Sequence, residues 1–251
     1  MSAPFHVLIP ARLGSTRLPN KPLLEIAGRP LIEWVWERAR ASGAASVIVA
    51  ADDPRILEAA RRFGAECALT GAHHASGTDR IAEVVRARGL SPEEIVVNLQ
   101  GDEPLMPPAA IARVARALEE HPRIDIATAV APIRSLAEFL DPSCVKALAD
   151  RADRALYFSR APVPWPRDHS AGGRPERFEG ALRHIGLYGF RVRTLLRFAA
   201  LPPTPLEQSE KLEQLRALEH GLSLHLVRLE EAPPAGVDTP EDLERVRRQM
   251  A

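Results

Sequence analysis

Apolar and polar positions along this chain follow two periods in alternation. Short apolar runs predict strands at Val7–Pro10, Ser46–Ala51, Glu66–Leu69, Ile95–Leu99 and Ile124–Val130. The runs Ser46 to Ala51 and Ile95 to Leu99 are continuous, as expected of strands buried on both faces. Between them the spacing becomes helical. Leu31, Val35 and Ala39 mark a helix that ends near Gly43, Pro54–Phe63 a helix stopped by Gly64, and Asp79–Arg88 a helix stopped by Gly89. Ala109–Glu120 is the next helix. This rhythm predicts an α/β fold, a mostly parallel central sheet with helices on both faces.

The second half is less regular. Val145–Ala149 and Ala155–Phe158 read as a hairpin across Asp150–Arg154, and Pro162–Gly180 as a long loop rich in Pro, Gly and charge. Ile185–Phe190 is a strand. Leu206–His220 reads as one strong helix with Leu212 and Leu215 on one side, then Leu222 beyond it. Ser223–Leu229 is a strand and Thr239–Met250 a helix, with Thr239 as N-cap, Pro240 in the first position and Asp242 three after the cap.

Composition narrows the classes. Lys+Arg and Asp+Glu number 33 each, which argues against a nucleic-acid binder, whose charge balance is normally basic. The longest apolar run, Ala44 to Ala51, is far shorter than the ~18 residues a membrane-spanning helix needs. No cationic segment followed by an apolar one opens the chain, so no secretory signal is expected. Cys67 and Cys144 form no disulfide framework or ligand spacing, and a reduced cytoplasmic protein is the expectation. Only three cations are lysines, at 21, 146 and 211, and one of them lies in the most charged loop of the chain.

That loop, Pro10 to Pro22, follows the first strand. It carries Arg12, Arg17 and Lys21, with Ser15 and Thr16 between them. A cationic loop between a strand and a helix is the usual place for phosphate in an α/β protein. Arg12, Arg17 and Lys21 would neutralise a triphosphate while hydroxyls and backbone N–H groups donate to its oxygens. No Gly precedes Lys21 as in a P-loop, and no Gly-x-Gly dinucleotide fingerprint occurs.

Two acidic motifs accompany the loop. In Asn98-Leu99-Gln100-Gly101-Asp102-Glu103-Pro104 a buried strand ends on the same rim of the sheet, and Gly101 lets the backbone turn sharply. Asp102 suits Mg²⁺, which prefers one or two carboxylates with phosphate oxygens and water, or an ordinary turn. Asp238 precedes a helix and is open to two readings, a second metal ligand or a charge favoured by the helix dipole. His73-His74 lack zinc spacing with Cys67, and no Gly-x-Ser-x-Gly occurs.

Taken in order, these motifs resemble the 3-deoxy-manno-octulosonate cytidylyltransferases, the CMP-Kdo synthetases of lipopolysaccharide assembly. The match rests on Pro10-Ala11-Arg12 through Leu23, Ser76-Gly77-Thr78-Asp79-Arg80, Val97 to Pro104, Leu156 to Arg160, Arg183 to Gly189, Leu212 to Arg216, and Val237 to Leu243. The resemblance implies a Rossmann-like nucleotidyltransferase fold, CTP and Kdo as substrates, Mg²⁺ as cofactor and a homodimer. It implies a nucleotide-binding core over about 1–132 and 200–251, and a smaller sugar-binding and dimerisation region over about 133–199. Ala11, Arg12, Ser15, Thr16, Arg17, Lys21, Ser76, Gly77, Thr78, Gln100 and Asp102 are the implied nucleotide residues. Asp102 and Asp238 are the implied metal ligands. Arg80, Gln100, Arg160, His184, Tyr188, Glu213 and Gln214 are the implied sugar residues, and the segment Leu182–Tyr188 with its neighbouring strands would supply dimer contact.

The chain departs from the family pattern at Leu13-Gly14, in the loop Arg167–Glu179, and at Asn20, where Gly is usual and where Asn tolerates a left-handed backbone. The rival readings are a nucleotide-sugar glycosyltransferase, a cytidylyltransferase for 8-amino-Kdo or a sialic-type sugar, and a non-catalytic nucleotide-binding module.

Overall fold

The computed structural model describes residues 3–14, 17–168, 170–171, 174–175 and 177–250. The strands are β1 (Phe5–Ala11), β2 (Glu25–Ile26), β3 (Arg29–Pro30), β4 (Ser46–Ala51), β5 (Glu66–Leu69), β6 (Ile95–Asn98), β7 (Ile126–Pro132), β8 (Lys146–Ala149), β9 (Ala155–Ser159), β10 (Ser170–Ala171), β11 (Arg174–Pro175), β12 (Leu182–Arg191) and β13 (Leu224–Arg228). The helices are α1 (Leu31–Ala41), α2 (Pro54–Arg62), α3 (Gly77–Arg88), α4 (Pro108–Glu120), α5 (Leu136–Leu140), α6 (Val192–Ala199), α7 (Pro205–Glu210), α8 (Glu213–Glu219) and α9 (Pro240–Met250).

The main sheet runs β13-β7-β12-β6-β1-β4-β5, and β8 and β9 attach beside β12. Its β6-β1-β4-β5 half is parallel, as is the β13–β7 pair. β12 runs against its neighbours β6, β7 and β8, and β8 against β9. Alternation along each strand sends side chains to opposite faces. Val7 and Ile9 of β1 join the layer formed by α1, α2, α4 and α9, while Leu8 between them joins the layer of α3, α6 and α8. The sheet is covered on both sides, which explains why its central strands carry continuous apolar runs.

From β1 the chain winds outward through β4 and β5, then returns to the other side of β1 as β6. The order therefore reverses between β1 and β6. In open α/β sheets ligands bind where the strand order reverses, beyond the carboxyl ends of the strands. This topology places the loop after β1 beside the loop after β6.

Three local expectations change. The segment read as one helix over Leu206–His220 is two. Lys211 adopts a left-handed conformation (φ 54°) and Leu212 is extended, so α7 stops and α8 begins anew. Tertiary bonds hold the break. The carboxylate of Glu210 accepts from Ser159 Oγ (2.6 Å) and Arg160 N (2.9 Å), and its carbonyl accepts from Arg160 Nε (2.7 Å).

The strand read as Ile185–Phe190 extends over Leu182–Arg191, because polar Arg183 and His184 pair with β7 as readily as their apolar neighbours do. It also lies inside the main sheet. The loop over 162–180 contains the short β10–β11 pair. The hairpin β8–β9 forms as expected. No helix among the described residues is long and apolar enough to cross a membrane.

Gly189 of β12 lies against α4, where an added Cβ would come within 2.9 Å of Val114 Cγ1 and 3.3 Å of its carbonyl oxygen. Gly189→Ala is expected to destabilise the protein by about 1–3 kcal/mol, the usual cost of overpacking. Urea denaturation checks this as a lower midpoint with an unchanged slope; an unchanged midpoint would show that α4 shifts freely.

Candidate active site

The rim between β1 and β6 opens into a cleft of about 270 Å³. Its walls include Ala11, Arg12, Arg17, Lys21, Ser76, Gly77, Arg80, Gln100, Asp102 and Asp238, so most of the expected nucleotide and metal residues share one space. Ser15 and Thr16 lie outside the described residues.

Close backbone approach makes this convergence possible. A Cβ on Gly101 would sit 2.7 Å from the Pro10 carbonyl oxygen, so only glycine lets the loop after β6 lie against the end of β1. A Cβ on Gly236 would meet the Asp102 carbonyl at 2.8 Å, and Val237 N–H donates to that same oxygen at 2.8 Å. The segment before α9 therefore docks on the Asp102 loop and brings Asp238 beside Asp102. Reciprocal capping fixes it further: Asp242 accepts from Asp238 N and Thr239 N, and Thr239 Oγ1 accepts from Asp242 N.

Asn20 is left-handed (φ 55°), as expected of Asn in place of Gly, and leads into the 3-10 turn Lys21–Leu23. From this turn Lys21 Nζ donates to Asp102 Oδ2 (2.6 Å) and Asp238 Oδ1 (2.9 Å). Arg17 pairs with the other Asp238 oxygen at 3.1 Å. Burial pulls the Lys21 ammonium downward, but Asp102 and Asp238 outweigh it and the net shift is upward, so it stays charged. Arg12 and Arg17 are exposed on the rim. Surface pairs contribute only about 0–1 kcal/mol, so stability does not account for this gathering of cations. A polyanion does.

The loop before α3 forms the opposite wall. Ser76 is its N-cap, with Ser76 Oγ accepting from Asp79 N (3.1 Å) and Asp79 accepting from Ser76 N (3.2 Å). Thr78 is buried and turned away from the cleft. Arg80 is only 3% exposed. It donates to Thr70 Oγ1 (2.5 Å), the Gly71 carbonyl (3.2 Å) and Asp52 Oδ2 (3.2 Å), while Asp52 Oδ1 accepts from Leu13 N (3.3 Å). Arg80 thus holds the opening loop through Asp52 and touches the cleft with its edge.

The expected sugar residues divide. His184, Tyr188 and Gln214 form one chain. Tyr188 O–H donates to Gln214 Oε1 (3.0 Å), the Gln214 amide faces His184 Nδ1 (3.5 Å), and His184 Nε2 meets Thr128 Oγ1 (2.9 Å). Thr128 in turn donates to the Leu187 carbonyl at 2.9 Å, so the direction of the chain puts the His184 proton on Nε2. Protein surrounds this chain, although His184 and Tyr188 keep part of their surface accessible. Burial pushes His184 down to about 3 and Tyr188 well above its ordinary value, so both remain neutral. Burial likewise raises the Glu213 carboxyl, against opposing bonds from Thr78 and Ser76.

Arg160 stands apart from the cleft lining. Its Nη1 donates to the Pro142 carbonyl (3.0 Å) and its Nε to the Glu210 carbonyl. The segment Leu182–Tyr188 is interior to the sheet, with Leu182, Ile185 and Leu187 buried within the chain.

Several site residues escaped the motif reading. Asp52 follows a strand on the same rim, and that position was its signal. Thr128 is a lone hydroxyl in an apolar strand. His74 lines the cleft and pairs with Glu83. Glu103 is pushed up to about 8 by burial and then by neighbouring Asp102, against Arg183.

Cations for a polyphosphate, a pair of carboxylates and a sheet that reverses order beside them define a nucleotidyltransferase. Comparison gives the family. The cytidylyltransferase family model matches residues 6–227. The 3-deoxy-manno-octulosonate cytidylyltransferase of Pseudomonas fluorescens is 53% identical over 252 residues, covering 100% of this chain and 99% of the relative. That of Halorhodospira halophila is 52% identical, covering 100% and 98%. A CMP:2-keto-3-deoxy-manno-octonic acid synthetase solved in complex with CTP superposes with a TM-score of 0.89 at 41% identity, covering 99% of this chain and 98% of that one. The chain belongs to the cytidylyltransferase family.

A histidine held near 3 when folded and near 6.5 when unfolded binds more protons in the unfolded state between those values. Its contribution to stability is complete above about pH 6.5 and is lost progressively toward pH 3. His184→Gln is expected to flatten that acid loss, read as urea midpoints at pH 7, 5.5 and 4.5; an equally steep loss would remove His184 as a cause.

Proposed function

We infer that this protein transfers CMP from CTP to 3-deoxy-D-manno-octulosonate (Kdo), giving CMP-Kdo and pyrophosphate. The observation that carries the reading is the convergence of Arg12, Arg17 and Lys21 with Asp102 and Asp238 where the sheet reverses order. The adjoining neutral chain of His184, Tyr188 and Gln214 supports a pocket for a polyhydroxylated second substrate, since it offers donors and acceptors without adding charge.

In this reaction the anomeric hydroxyl oxygen of the sugar attacks the α-phosphorus of CTP. A new P–O bond forms, the bond from the α-phosphorus to the bridging oxygen breaks with its electron pair on pyrophosphate, and the hydroxyl proton is lost. Little covalent chemistry falls to the protein, which must align the reactants and cancel charge. Arg12 and Arg17 receive the phosphates from the rim. Lys21 offers a compact charge already oriented by its two carboxylates.

The donor set also fits Mg²⁺. Among the described residues no three His, Cys, Asp or Glu side chains gather as a closed metal site. Two partly exposed carboxylates instead face the cleft, and Mg²⁺ usually takes one or two carboxylates with substrate oxygens and water. When bound by Asp102 and Asp238, the ion would neutralise phosphate charge and make the attacking hydroxyl more acidic.

Arg160 carries the recognition of the sugar carboxylate in this reading. Its Nε and Nη1 donate to the carbonyls of Glu210 and Pro142, which fixes the plane of the guanidinium and leaves Nη2 and the second Nη1 proton as the end that would meet a carboxylate. A homodimer is supported by Leu156 and Trp165, which are 61% and 50% exposed, Leu156 lying on β9 near the Leu182–Tyr188 strand; solution mass is its check. The free cysteines and a substrate of intracellular type support a cytoplasmic location.

Pyrophosphate release tests the function directly. With CTP, Mg²⁺ and Kdo it is expected to exceed release with ATP or UTP, and with sialic acid in place of Kdo, by far more than tenfold. Release of a nucleoside diphosphate from a nucleotide-sugar donor would favour a glycosyltransferase, and CTP binding without turnover a binding module. Arg160→Lys is expected to raise KM for Kdo about tenfold, the loss of one charge-assisted hydrogen bond. An unchanged KM would remove the bidentate role.

A further inference from the structure

Thr78 follows the two residues, Ser76 and Gly77, that line the nucleotide cleft, yet it is only 2% exposed and points the other way. Its hydroxyl donates to Glu213 Oε2 at 2.8 Å, across 135 residues of sequence. A second bond arrives from behind, where Asn98 Nδ2 donates to Thr78 Oγ1 at 3.4 Å. Asn98 is completely buried, and its Oδ1 finds no hydrogen-bond partner. A buried acceptor left without a partner is unfavourable. Packing alone would be served better by an apolar residue at that position in β6. The amide is useful for its other end, which fixes the Thr78 hydroxyl so that its single proton is directed at Glu213.

Glu213 is held from its other side by Arg216, whose Nη2 donates to Oε1 at 3.0 Å. The Ser76 side chain bonds the same carboxylate, so Glu213 is gripped by Thr78 and Ser76 from the cleft-side loop and by Arg216 from its own helix. The break between α7 and α8 delivers Glu213 to this spot as the first residue of α8.

We propose that Thr78 is a positioning residue that fastens the sugar-side carboxylate Glu213 to the loop walling the nucleotide cleft, setting the two substrate pockets in one register. This rests on the reading of Glu213 as a sugar-side residue. The wall that meets the nucleotide and the group that meets the sugar are then parts of one hydrogen-bonded unit. Loss of the Thr78 hydroxyl loosens Glu213 while leaving the nucleotide wall in place, because Ser76 and Asp79 cap α3 independently of it.

The test uses Thr78→Val, which keeps the branched shape and removes the hydroxyl, with Thr78→Ser, Glu213→Gln and the valine–glutamine double variant. Calorimetry reads CTP binding, and steady-state kinetics read Kdo turnover. For Thr78→Val we expect CTP affinity within about twofold of wild type, KM for Kdo raised about tenfold, and kcat within about threefold, the scale of one bond to a charged group. Thr78→Ser restores KM to within about twofold.

The double variant is expected to be no worse than Glu213→Gln alone, because Thr78 acts through Glu213. If Glu213→Gln raises KM for Kdo and Thr78→Val does not, the positioning role is overturned and the sugar-side reading stands. If Glu213→Gln leaves that KM unchanged, the sugar-side reading fails and the proposal falls with it. Weakened CTP binding in Thr78→Val, or effects that multiply in the double variant, would also overturn it. Should the valine variant not fold, Thr78→Ala carries the same comparison against serine.

Discussion

One ammonium group holds this site together. Lys21 Nζ reaches a carboxylate 81 residues away and another 217 residues away, and both bonds are shorter than 3 Å. Like charges placed so close would repel, and each would lose solvation inside the cleft. The lysine offsets both effects. Its position depends on the left-handed turn at Asn20, on Gly101 lying against β1, and on Gly236 lying against the Asp102 loop. The two glycine features are close approaches of backbone to backbone. The sheet supplies the platform, and these contacts decide where charge sits upon it.

The two halves of the site use opposite electrostatic strategies. The phosphate side is rich in charge and open to solvent on its rim. The buried chain of His184, Tyr188 and Gln214 is neutral, because burial keeps His184 unprotonated and Tyr188 unionised. Arg80 illustrates another use of charge: deep burial paired with Asp52, fixing the opening loop from behind the cleft.

Much of this was legible in the chain before any coordinates. Continuous apolar runs identified the strands covered on both faces, and the glycines at 43, 64 and 89 marked helix ends correctly. The opening loop and the Asp102 motif came together as their places after strands implied, and Asp238 joined them from the start of α9. Other features were invisible for physical reasons. Helical periodicity runs unbroken through Lys211, because the break there is enforced by Glu210 bonding to a distant strand. Thr78 lies within a motif that suggested nucleotide contact, but the twist of α3 turns its hydroxyl to the opposite side. The direction in which a side chain leaves its backbone is a property of three dimensions, and residue type alone does not carry it.

The helix α9 shows where the molecule is fragile. It buries Leu243 and Val246, while much of its remaining surface faces water. Such elements open locally at lower free energy than the core sheet. Asp238 stands immediately before this helix, held by the capping groups Thr239 and Asp242. Fraying of α9 therefore removes one carboxylate from the cleft while β1, β4 and β6 remain paired. Under the proposed reaction, inactivation and unfolding are then separate events, and a sample that retains its sheet on heating would already have lost its chemistry.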